Sequence, residues 1–123
     1  MMLEQVKDKI ISDEVIEGIF NHMFKSNCLK LPMDKFNATV GGQLAEQITF
    51  EAYLVRLEQY ELAGKNKKLI DNIKAIYVYY MTNKNYTEED IAENWLHILA
   101  RTRQEAYSYP MKKIENLIKE FMK

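Results

Sequence analysis

Apolar residues along this chain recur at three- and four-residue intervals, the spacing of helices rather than strands. Leu3, Val6 and Ile10 predict a short first helix. Ser12–Asp13 offers an N-cap to a second that carries Val15, Ile16, Ile19, Phe20, Met23 and Phe24. Pro32 suits the first turn of a third segment, from Met33 to about Thr39. Gly41–Gly42 is expected to interrupt that segment, because glycine is unfavourable inside a helix. A hairpin through Phe36–Val40, the glycine pair and Ile48–Leu54 is the alternative there.

From Gln43 to Ala63 the pattern predicts one long helix, with Gly64 as its C-terminal cap. Phe50, Tyr53, Leu54, Leu57 and Tyr60 form one apolar stripe, and Leu44, Ile48, Val55 and Leu62 form a second. A helix apolar on two sides belongs in the middle of a bundle. The next helix, about Asn66 to Thr82, has a core face of Leu69, Ile70, Ile73, Ile76, Tyr77, Tyr80 and Met81, from which Val78 and Tyr79 depart. After the loop Asn83–Tyr86, Thr87 is a good N-cap, and Glu88, Glu89 and Asp90 complement the helix dipole. Ile91, Ala92, Trp95, Leu96, Leu99, Thr102 and Ala106 continue a buried face to about Ser108. Tyr109–Pro110 then breaks the chain, because the residue before proline avoids helical dihedrals. Met111, Ile114, Leu117, Ile118, Phe121 and Met122 make the last helix. The expected fold is all-α: a compact single-domain bundle of six or seven helices over residues 1–123, with its central helix near residues 43–63.

Composition narrows the class. The 123 residues suit one domain. Seventeen Lys and Arg against eighteen Asp and Glu leave a net charge of -1, which excludes a DNA mimic and a polybasic nucleic-acid coat. The longest apolar run, Ala75–Met81, is far shorter than the roughly 20 residues a membrane-spanning helix needs. Charges of both signs precede any apolar stretch at the N-terminus, unlike a signal peptide. The lone Cys28 fits a reducing compartment. These readings predict a soluble cytoplasmic protein that does not enter membranes. Lysine far outnumbers arginine, which points to an AT-rich genome such as that of a low-GC bacterium, its phage or a mobile element.

Candidate chemistry is sparse. His22 and His97 lack the recurring ligand spacing of a zinc site, although Glu93 and His97 are spaced to meet on one helix face. Cys28 has only Lys25 and Lys30 nearby to activate a thiolate. Gly41–Gly42 lacks the Lys-Ser/Thr of a phosphate loop and the third glycine of a dinucleotide fingerprint. No catalytic residue, metal or cofactor is expected. Nucleic-acid binding is the alternative function: Lys65, Lys67 and Lys68, with Lys74 beyond, form the densest basic stretch. Tyr86–Ala92 would suit the first helix of a helix-turn-helix, but Trp95–Leu99 continues the helical pattern where the turn should fall. The polar face of that helix, which includes Asp90, Glu93 and Glu105, is acidic and would repel phosphate.

The positive signal is eight tyrosines and seven methionines. Tyrosine combines a large rigid body with a wet hydroxyl, a combination that suits protein interfaces. Val78 and Tyr79 leave the core stripe, and Tyr86, Tyr107 and Tyr109 lie in or near chain breaks. These five are the candidate interaction residues. The expected function is a non-enzymatic helical module that binds another protein or itself, as an inhibitor, adaptor or assembly factor. A helical transcription regulator that uses Lys65, Lys67 and Lys68 on nucleic acid is the alternative.

Overall fold

The protein is described by a computed structural model covering residues 28–121. The two helices expected between Leu3 and Phe24, and the candidate His22, lie outside these residues. A short 3₁₀ turn, Cys28–Lys30, leads to four α-helices: α1 (Met33–Arg56), α2 (Tyr60–Asn83), α3 (Glu88–Ser108) and α4 (Met111–Phe121). Among the described residues the fold is all-helical, as the periodicity predicts.

The described residues hold four α-helices where five of the expected six or seven should fall, because two predicted segments are one helix. Helix α1 runs straight through Gly41 and Gly42, which both keep negative φ. Interior glycines cost a helix about 1 kcal/mol each relative to alanine. The i, i+4 series Phe36, Val40, Leu44 and Ile48 spans the pair without a phase change, and all four side chains are buried. That continuous face outweighs the local penalty, so neither the interruption nor the hairpin forms. The expected 43–63 helix is therefore shifted toward the N-terminus.

The break comes instead at Leu57–Gln59. Glu58 adopts the left-handed conformation with φ 58°. The Glu58 N–H donates to the Val55 carbonyl at 3.0 Å and the Gln59 N–H to the Leu54 carbonyl at 2.8 Å. This is the paired bonding of a Schellman turn, with glutamate where glycine is usual. Gly64, expected to cap the helix, lies inside α2. At the far end of α2 the same turn recurs on Asn85, φ 68°, with Asn85 N–H donating to Thr82 and Tyr86 N–H to Met81.

Helix α1 is central, as expected of the two-sided helix, and packs against all three others. Helices α1 and α2 form an antiparallel hairpin. Helix α3 runs parallel to α1, since Asn37 and Val40 share a cleft with Asn94 and Ile98, and Thr49 shares another with Thr102 and Ala106. The core is Phe36, Leu44, Ile48 and Leu54 of α1, Leu69, Ile73, Ile76 and Tyr80 of α2, and Ile114 and Ile118 of α4. Trp95 is 2% exposed and lies against Tyr77, with ring centroids 5.5 Å apart. One polar link crosses the α1–α2 hairpin: buried Asn66 donates from Nδ2 to the Gln47 carbonyl at 2.8 Å. The N-cap expected at Thr87 is present, its Oγ1 accepting from the Asp90 N–H at 3.2 Å.

Candidate protein-interaction surface

Helix α2 buries Leu69, Ile70, Ile73, Ile76, Tyr77, Tyr80 and Met81 on one side. At about 100° per residue, Val78 and Tyr79 must then point away from this face. Val78 is 36% exposed and Tyr79 57%. They line a shallow hollow of about 540 Å³ together with Asp71, Lys74, Ala75, Thr82 and Asn83. Its polar content is partly neutralised within the helix, because the Thr82 hydroxyl donates to the Val78 carbonyl at 2.7 Å.

A second hollow, of about 330 Å³, adjoins the first through the shared Lys74 and Val78 and crosses to Ile91, Ala92 and Trp95 of α3. One turn beyond Ala92, Leu96 is 62% exposed. The sequence pattern assigns both Ala92 and Leu96 to the buried face, and the structure corrects this: each is exposed. Leu96 lies about 100° from Trp95 on the helix, beyond the reach of the α1 and α2 contacts that cover Ile91 and Trp95. The usable signal was the angular offset of Leu96 from Ile91, Trp95 and Thr102.

The other candidate tyrosines stand elsewhere. Tyr86 is exposed at a separate cleft of about 440 Å³ between α1 and α3, lined also by Met33, Asn37, Tyr77, Asn94 and His97. Its hydroxyl donates to Met33 Sδ at 3.5 Å. His97, on the rim, sits 3.8 Å from Glu93 one turn away, and both are well exposed.

Tyr107 and Tyr109 are half-buried at the corner between α3 and α4. The Arg56 guanidinium donates to the backbone carbonyls of both residues and so ties the end of α1 to this corner. The Tyr107 hydroxyl donates to Glu51 Oε1 at 3.4 Å, and Arg103 pairs with the same carboxylate at 3.4 Å. Burial pushes the Tyr107 phenol above its ordinary pKa, and the Glu51 charge pushes it further. The hydrogen bond that Tyr109 donates to Glu105, at 2.9 Å, raises its phenol pKa. Lys113 Nζ lies 4.1 Å from the Tyr109 ring centroid. These two residues are occupied with holding the corner, unlike Tyr79.

Lys65, Lys67 and Lys68 are all exposed on α2, but they fan across about 160° of its circumference and share no single direction. Among the described residues, no group of three or more His, Cys, Asp or Glu is placed to hold a metal ion. No helix among them is long and apolar enough to cross a membrane. Comparison of the chain with protein-family models, with curated proteins and with solved structures returns no match.

Proposed function

We propose that this chain is a non-enzymatic helical protein–protein interaction module, acting in the cytoplasm of a low-GC bacterium or its phage as an inhibitor, adaptor or assembly factor. One observation carries the reading: the outer face of α2 presents Ala75, Val78 and Tyr79 to solvent, and the apolar surface continues across Val78 to Ala92 of α3. Large apolar side chains held in solvent by a rigid helix cost solubility, and surfaces of that kind mark binding sites. An exposed aromatic on such a scaffold is the residue type that concentrates binding energy.

The test is a photo-crosslinking residue placed at position 79 of the full chain in its native host, with position 112 on α4 as control. A discrete adduct formed from position 79 and not from position 112 supports the reading. Adducts equal in pattern and amount at both positions overturn it.

A further inference from the structure

The solvent side of α2 has an order that packing among the described residues does not require. Gly64, Lys68, Asp71, Ala75, Val78 and Thr82 follow one another at intervals of four, three, four, three and four residues. That spacing lays them in one line along the helix, and all six are exposed. The line is symmetric about position 73: Gly64 mirrors Thr82, Lys68 mirrors Val78, and Asp71 mirrors Ala75. Two copies of α2 laid antiparallel about a two-fold axis at that position therefore superimpose the line on itself.

The charges fall into register in the same arrangement. In an antiparallel pair, side chains on one flank meet the same flank of the other helix. Asp71 and Lys74 share one flank, and Lys68 and Tyr79 share the other. Pairing about position 73 sets Asp71 against the partner's Lys74 and Tyr79 over the partner's Lys68, and the symmetry makes each contact twice. The first is an ion pair and the second a cation–π contact. Gly64 fits the same account. It is helical and exposed, a Cβ there would meet nothing within 4 Å, and nothing among the described residues calls for glycine. Opposite the partner's Thr82, its missing side chain allows the backbones to approach.

We propose that the occupant of this face is a second copy of the chain: α2 pairs antiparallel with the partner's α2, closed by two Asp71–Lys74 ion pairs and two Tyr79–Lys68 contacts. The proposal rests on the interaction-module reading and names its partner. One helix per protomer makes a small interface, so the dimer is weak and concentration-dependent.

Charge reversal tests the symmetry. Asp71→Lys sets lysine against lysine at both pairs, and Lys74→Asp sets aspartate against aspartate. Both positions are exposed, and circular dichroism checks that each variant keeps its helices. An equimolar mixture of the two variants, however, meets lysine with aspartate at both sites. Sedimentation equilibrium of the full chain under reducing conditions should show wild type associating and each single variant weakened by about tenfold or more, with the mixture restored to within about threefold of wild type. A wild type that stays monomeric to about 0.5 mM, a concentration at which even weak specific dimers form, overturns the dimer. So does a mixture no stronger than its components. In either case a specific crosslink from position 79 to a different protein leaves the module reading standing, whereas failure of both experiments removes both.

Discussion

Tyr79 and Tyr80 are consecutive residues of one type on one helix, yet Tyr80 is 1% exposed and Tyr79 57%. Tyr80 stacks on Phe36 with ring centroids 3.6 Å apart, and its hydroxyl donates to the Leu31 carbonyl at 2.6 Å. It thereby fastens the segment before α1 to the C-terminal half of α2. Tyr79, rotated about 100° away, faces solvent over Ala75 and Val78. Tyr107 and Tyr109 occupy a third environment, a half-buried corner whose hydroxyls are spent on Glu51 and Glu105. Tyrosine abundance is therefore not one signal. The direction of each side chain and the fate of its hydroxyl separate scaffold from surface.

The sharpest break in that contrast is truncation of Tyr80. Tyr80→Ala should destabilise the protein by about 3–5 kcal/mol, the range for removing a large buried aromatic. A marginal domain would lose much of its stability, and urea denaturation measures the loss directly. Trp95→Ala belongs to the same class. Tyr80→Phe refines the result, since it removes only the bond to Leu31 and should cost about 1 kcal/mol. A cost below that from Tyr80→Ala would mean that the inner face of α2 is not the core.

The corner comes next in size. Arg56→Ala removes a buried-side guanidinium from two backbone carbonyls at once. Hydrogen bonds to charged donors contribute about 1.5–3 kcal/mol, and the loss should fall in that range by thermal or urea denaturation. Arg56→Lys should recover only part of it, because an ammonium cannot present the planar fork that meets both carbonyls. Full recovery would show that charge alone, rather than the fork, holds the corner.

The turn at Glu58 shows what the pattern of residues conveys and where it fails. Periodicity placed α3 and α4 well: Thr87, the acidic first turn and Tyr109–Pro110 mark ends that local chemistry alone determines. It also separated the inner face of α2 from Val78 and Tyr79. It misplaces the α1–α2 boundary because glycine, by local preference, marks helix ends. Gly41, Gly42 and Gly64 all keep helical backbones, held by packing several turns long, while the left-handed residue is Glu58. Tertiary contacts overrode local preference there, and no property of glutamate announces it. Exposure of Leu96 was missed for a related reason, since it depends on how far α1 and α2 reach around α3. Glu58→Gly tests this account: relieving a side chain from the left-handed region should stabilise the protein by about 1 kcal/mol, raising the melting temperature by a few degrees. A loss would mean that the Glu58 side chain contributes more than its backbone strain costs.

The smallest expected stability change falls on the residue with the largest expected functional one. Tyr79→Ala removes an aromatic ring that is more than half exposed, and surface substitutions change stability by under about 0.5 kcal/mol. Alanine is also the better helix former by a few tenths of a kcal/mol, so the melting temperature should hold or rise slightly. Association through the outer face should nevertheless weaken by 1 kcal/mol or more, about a fivefold to tenfold change in dissociation constant, the scale of a contact residue. Tyr79→Phe separates the ring from its hydroxyl. If Tyr79 acts through its π face over a lysine, phenylalanine retains most of the binding, whereas a hydroxyl contact would be lost with it. A fall in stability of more than about 1 kcal/mol from Tyr79→Ala would place the ring in the packing of the fold. The difference between Tyr79 and Tyr80 would then be one of degree, and the outer face of α2 would no longer stand as a binding surface.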